Sequence, residues 1–242
     1  MILRLFLGLP FPLPCIHPRL NAYNLGIYSI PNYQTVINIE KETILKLFKN
    51  KVTVFTGQSG AGKSTLLRII SGDLEPTSGH VTLTDNERMS VLKQNQDAFD
   101  NETVLRTVLL GHKRLVEVMD QKEALYSKAD FTEEDGILAG ELENEFAELG
   151  GWEAESEAQT MLNNLGVSTE FHDKLMSEID SKLKVKVLLA QALFGNPDIL
   201  VLDEPTNNLD ALAASWLEDF LADFENTILI VSHDRYFLNK VC

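Results

Sequence analysis

Residues 51–64 read KVTVFTGQSGAGKS. The first six are β-branched and apolar types that favour a buried strand. They run straight into GQSGAGKS, residues 57–64, which matches the spacing G-x-x-x-x-G-K-[ST]. Residues 63–71, KSTLLRIIS, then place apolar groups at helical spacing and stop at Gly72. Strand, glycine-rich turn and helix, in that order, form the context in which this spacing cradles a phosphate chain.

Each residue type in the loop has a physical reason to be there. Gly57, Gly60 and Gly62 open backbone conformations closed to other residues. The N–H groups along Gly57, Gln58, Ser59, Gly60, Ala61 and Gly62 can then wrap phosphate oxygens. The following helix turns its positive end toward the same anion. Lys63 is placed to reach the β- and γ-phosphates, Ser64 to ligate Mg²⁺ and Thr65 to hold the α-phosphate. The competing reading, a glycine-rich turn that binds nothing, has both motif and context against it.

Further along, ILVLDE at 199–204 is an apolar strand ending in two carboxylates. Its apolar run predicts burial on both faces. Carboxylates at the C-terminal edge of a parallel sheet lie in the crevice where ligands bind. Asp203 is placed for the Mg²⁺ shell, and Glu204 to orient the attacking water or take its proton. Thr227–Val231 reads as a last strand, with His233 just beyond it as a candidate γ-phosphate contact. Gln94, in LKQNQ, is a weaker candidate, singled out by its place after a predicted hairpin over 80–84 and 88–92.

Between these motifs the pattern is helical. Val104, Val108, Leu115, Val118 and Met119 form one apolar stripe. Ile137, Leu138, Leu142, Phe146 and Leu149 form a second, and Ala154, Ala158, Met161, Leu162 and Leu165 a third. Each stripe reads as packing. A helix over 182–194 ends at Gly195, and another over 211–224 lines up Leu212, Trp216, Phe220 and Phe224. The whole predicts an α/β fold: a P-loop NTPase parallel-sheet core with an inserted helical subdomain or arm. The expected division is 1–56, an atypical N-terminal segment and first core strand; 57–102 and 181–242, the nucleotide-binding core; and 103–180, the inserted arm.

Net charge is −15, concentrated in the middle of the chain. Residues 97–180 hold 6 basic and 21 acidic side chains. Such a segment repels nucleic-acid backbones and reads as a solvated helical face. The first 20 residues are apolar, but Pro10, Pro12, Pro14 and Pro18 break any helix, and no run reaches spanning length. Cys15 and Cys242 are far apart and outside any metal-ligand spacing, as in a reducing cytosol. A cytoplasmic protein with no membrane partner is expected.

With these residues in view, the chain resembles an ATP-binding-cassette ATPase of the ABC-F class, its first cassette, over about residues 57–242. The resemblance rests on the phosphate loop, LKQ at 92–94, VLLAQALFGNPDILVLDEPTNNLD at 187–210 and VSHDRYFLN at 231–239. It implies ATP and Mg as cofactors and ATP hydrolysis as the activity. Glu204 then resembles the catalytic glutamate, His233 the switch histidine, and Gln94 the loop glutamine that contacts metal and water. Asn207, Asn208 and Asp210 resemble the loop that crosses a cassette–cassette interface. A second cassette, from another copy or a missing half, would complete the site, and the ribosome in translation is the implied partner.

Two departures qualify this picture. The family pattern LSGGQ aligns with Ile179, Asp180, Ser181, Lys182 and Leu183, so both glycines are gone and a carboxylate replaces the serine. Residues 22–64 also resemble the segment before the phosphate loop in circularly permuted ribosome-assembly GTPases, although the N-K-x-D guanine motif is absent. The alternatives are therefore a nucleotide-binding regulatory module with little hydrolysis, or a GTP-binding P-loop protein.

Overall fold

The computed structural model describes residues 3–6, 52–56, 63–75, 87–93 and 95–241. Residues 57–62 of the predicted phosphate loop, Gln94 and the expected strand at 80–84 lie outside them. The chain divides into two compact units, Met1–Leu92 with Asn196–Cys242, and Lys93–Gly195.

Among the described residues, the first unit has five strands: β1 (Leu3–Phe6), β2 (Val52–Thr56), β3 (Met89–Val91), β4 (Ile199–Asp203) and β5 (Thr227–Val231). They lie in the order β1-β2-β5-β4-β3, every pair parallel. Parallel strands need both faces covered, which is why β5 is buried along its whole length and the middle of β4 likewise. Leu3–Phe6, from the apolar N-terminal stretch, adds an edge strand to β2. Met89–Val91 pairs in parallel with β4.

Helix α1 (Lys63–Ile70) follows β2 after six residues. Its Leu67 is buried with Val201, Leu229 and Val231, and Leu66, Ile70, Met89, Val91 and Ile199 pack around them. Each such side chain taken out of water contributes roughly 1.5–3 kcal/mol. That contact pins α1 to the sheet.

Helix α7 (Ala211–Asp223) crosses between β4 and β5, and α8 (Arg235–Val241) follows β5. The aromatic stripe expected on α7 is real but is not its buried face. Ala213, Leu217, Glu218 and Leu221 face inward, whereas Leu212 is 84% exposed. Trp216, Phe220 and Phe224 are half-buried and pack on one another, with ring centroids 5.2 and 6.1 Å apart.

The second unit is helical: α2 (Val104–Leu109), α3 (Lys113–Tyr126), α4 (Glu133–Glu148), α5 (Gly151–Asn164) and α6 (Ser181–Leu193). Helix α6 is buried nearly all round from Lys184 to Leu193, so it forms the centre against which α2 and α5 pack. This unit is wider than the 103–180 arm expected from the sequence, because α6 packs on α2 and α5.

The stripe from Val104 to Met119 is split in two by Gly111 and His112. A Cβ at Gly111 would lie 2.0 Å from the Gln191 carbonyl oxygen, so the approach of α2 to α6 admits only glycine. Gln191 Nε2 donates to Thr107 O across the same contact. His112 then starts α3, its ring nitrogen accepting from Leu115 N.

The second predicted stripe needs correction. Leu142 and Phe146 are buried, but Ile137 is 64% and Leu138 44% exposed. The inward positions of α4 are Asp135, Ala139, Leu142 and Phe146, and the helical phase is set by its start. Thr132 accepts from Asp135 N while Asp135 accepts from Thr132 N, a reciprocal cap. Lys128 pairs with the other Asp135 oxygen.

The Lys128 hydrogen bond, and then those from Thr132, hold the Asp135 carboxyl down at about 2. A carboxyl depressed on folding adds stability above its unfolded value of about 3.9 and loses it as pH falls through the folded one. Acid titration of the melting temperature is therefore expected to show a drop between about pH 4 and pH 2 that Asp135→Asn abolishes. Parallel curves for the two proteins would count against the cap.

Candidate nucleotide-binding site

The site follows from strand register. Phe55 pairs with Val231, and Val231 pairs in turn with Asp203. Because all three strands run the same way, the chain leaves β2 toward the phosphate loop at the edge where β4 ends in Asp203 and Glu204. The turn after β5, Ser232–Asp234, lies at that edge too. Three segments separated by about 150 and 30 positions in the sequence thus meet at one carboxyl end.

At that edge Glu204 leaves the sheet. Its N–H still donates to Val231 O at 2.8 Å, but its φ of 50° is left-handed. Such backbone at a non-glycine residue costs on the order of 1–3 kcal/mol and persists where the surroundings over-determine it. One side-chain oxygen, Oε2, accepts from His233 N at 3.2 Å. The other, Oε1, lies 3.6 Å from His233 Nε2. Oε1 is buried and has no hydrogen-bond partner among the described residues. A buried acceptor without a donor is a place for a water molecule or a substrate proton. The His233 side chain is 60% exposed, so it lies over the carboxylate and still reaches solvent.

Ser64 and Thr65 are exposed on the first turn of α1, where free N–H groups and the helix dipole favour an anion. Among the described residues no three acidic, histidine or cysteine side chains gather as a metal cage. Magnesium on a nucleotide takes one or two carboxylate or hydroxyl ligands, phosphate oxygens and water. Asp203 ends β4, and Ser64 stands on the first turn of α1.

The turn after Glu204 is also shaped. Asn208 has φ 66°, a conformation asparagine tolerates better than most residues. Asp210 caps α7 by accepting from Ala213 N at 2.9 Å. Sequence reading gave Asp210 only an interface role and overlooked Asp234. That residue caps α8, accepting from Tyr236 N and Phe237 N. The capping pattern of an aspartate before a helix was the available signal.

In the second unit, Asp180 caps α6. Its Oδ1 accepts from Lys182 N at 2.8 Å and Leu183 N at 2.9 Å. Four residues on, the Lys184 ammonium is buried between Asp97 and Asp100. The hydrogen bond to Asp100 above all raises its pKa.

The family model described as ABC transporter matches residues 41–207. The Bacillus subtilis "Uncharacterized ABC transporter ATP-binding protein YkpA" is 56% identical over 205 residues, 81% of this chain and 38% of that protein. The Arabidopsis thaliana "ABC transporter F family member 2" is 32% identical over 214 residues, 85% of this chain and 32% of that protein. The chain thus spans about a third of the length of these relatives. Among solved structures, "Structure of ATP binding subunit of ABC transporter" superposes with a TM-score of 0.58 at 17% identity, covering 80% of this chain and 72% of the other. That likeness speaks for the fold. A phosphate-loop sequence leading into α1, a carboxylate pair closing β4 and a family match over most of the chain agree: the chain belongs to the ABC transporter family, as one of its ATP-binding cassettes.

Proposed function

We propose that this cassette binds Mg-ATP at the carboxyl edge of its sheet and hydrolyses it, with a second cassette completing the site. The supporting observation is the register that sets Glu204 against His233 beside the end of β2. In this reading the main chain of residues 57–62 and Lys63 hold the β- and γ-phosphates. Ser64 and Asp203 hold magnesium, and Gln94 completes its surroundings. When bound, magnesium offsets phosphate charge and polarises the γ-phosphoryl group. Glu204 Oε1 accepts a hydrogen bond from the attacking water, and His233 steadies both that carboxylate and the γ-phosphate. Positioning and electrostatics carry such reactions. Asn207, Asn208 and Asp210 face the partner cassette.

Asp203→Asn is expected to lower steady-state ATP turnover about 100-fold and to raise the magnesium concentration needed for half-maximal rate. A rate and magnesium dependence equal to wild type would remove Asp203 from the metal site.

The ABC-F-like strings at 187–210 and 231–239, with the F-family relative, support work on the ribosome in translation. The excess of acid in residues 97–180 disfavours contact between that stretch and RNA. Co-sedimentation with ribosomes at low salt, with ATP, is the expected result for the Glu204→Gln protein. Absence of association with and without ATP would withdraw the ribosome as partner.

A further inference from the structure

The His233 side chain is 60% exposed, so packing alone does not hold its ring. Its place over Glu204 is set by the backbone that carries it. His233 N donates to Glu204 Oε2 at 3.2 Å, and the ring nitrogen Nε2 lies 3.6 Å from Oε1. One carboxylate thus meets both the main chain and the side chain of the same residue. A turn of the peptide at His233 would disturb the two contacts together.

The residues on either side of His233 are tied to each other. Asp234 N donates to Ser232 Oγ at 3.1 Å, across His233. Ser232 is buried where the chain leaves β5. Beyond the turn, Asp234 Oδ1 accepts from Tyr236 N at 2.9 Å and Phe237 N at 3.1 Å, and Asp234 O accepts from Leu238 N. Phe237, Leu238 and Val241 are buried, which anchors α8. Asp234 therefore joins an anchored helix to the end of a buried strand, and His233 sits on the link between them.

We propose that Asp234 is a positioning residue that holds the turn 232–234 in the form that lays His233 on the Glu204 carboxylate. This rests on the reading that Glu204 and His233 serve ATP hydrolysis. Asp234 itself holds no nucleotide, because its side-chain contacts run to its own helix; it acts through His233. Its loss falls on the transition state, where water and γ-phosphate must be aligned, and not on ground-state binding.

Asp234 is exposed, so Asp234→Ala opens no cavity in the core. Alanine removes the acceptor for Tyr236 N and Phe237 N, whereas asparagine keeps one. The test uses the 242-residue chain, with kcat and KM for ATP measured by phosphate release. The amide proton of His233 is followed by NMR in the same proteins labelled with nitrogen-15. Asp234→Ala is expected to lower kcat on the order of tenfold with KM unchanged, and to shift the His233 amide signal upfield as its bond to Glu204 loosens. Asp234→Asn is expected to restore both. A melting temperature lowered by alanine, with kcat and the amide signal left as in the parent, would reduce Asp234 to a helix cap and overturn the proposal. So would a fall in kcat with the amide signal unmoved, since the loss would then not pass through His233. A parent chain without turnover would overturn the hydrolytic reading itself, and this proposal with it.

Discussion

Replacing Glu204 with glutamine is expected to cut ATP turnover by about 100- to 10,000-fold while leaving ATP bound. The substitution keeps the shape of the side chain and an oxygen able to accept from His233 N. It removes the charge and the capacity to take a proton. The backbone at Glu204 is left-handed, and its N–H is held by Val231 O, a contact that does not involve this side chain. The fold should therefore tolerate the change. Turnover would be followed by phosphate release, and binding by a fluorescent ATP analogue. Equal, background-level rates in both proteins would instead favour a regulatory module that holds nucleotide and hydrolyses little.

Lys63→Ala should weaken ATP binding by roughly 10- to 100-fold, the value of a charged hydrogen bond of about 1.5–3 kcal/mol. Lys63 opens α1, and alanine is the best helix former, so the helix itself should survive. The loss should be smaller for ADP, which lacks the γ-phosphate. Running the same titration with GTP examines the base, since the phosphate loop does not read it. Unchanged triphosphate affinity in Lys63→Ala would remove this residue from the site, and a tenfold preference for GTP would replace ATP as the ligand.

Other parts of the molecule respond to simpler physics. The Arg114 pairs with Glu117 and Glu145, and the Arg106 pair with Asp120, are solvent-exposed. Pairs of this kind are screened by salt and contribute little. The half-exposed Trp216, Phe220 and Phe224 are a property of α7's phase: its buried face is taken by Ala213, Leu217, Glu218 and Leu221.

Local structure was legible in the sequence because it depends on neighbours in the chain. The strand Val52–Thr56, the helix Lys63–Ile70, the apolar run into Asp203 and Glu204, and the helix stop at Gly195 each follow from spacing and residue type. Gly195 has the left-handed φ, 70°, that such a stop calls for. Tertiary structure decided what depends on contacts between distant segments. It chose β4 as the partner of Met89–Val91 and placed His233 over Glu204. It also turned Ile137 and Leu138 outward, required glycine at position 111 and closed the end of α6 with Asp180. Periodicity counts apolar side chains on a face but does not say which neighbour will cover them. A sheet register, set by the pairing of every strand at once, does.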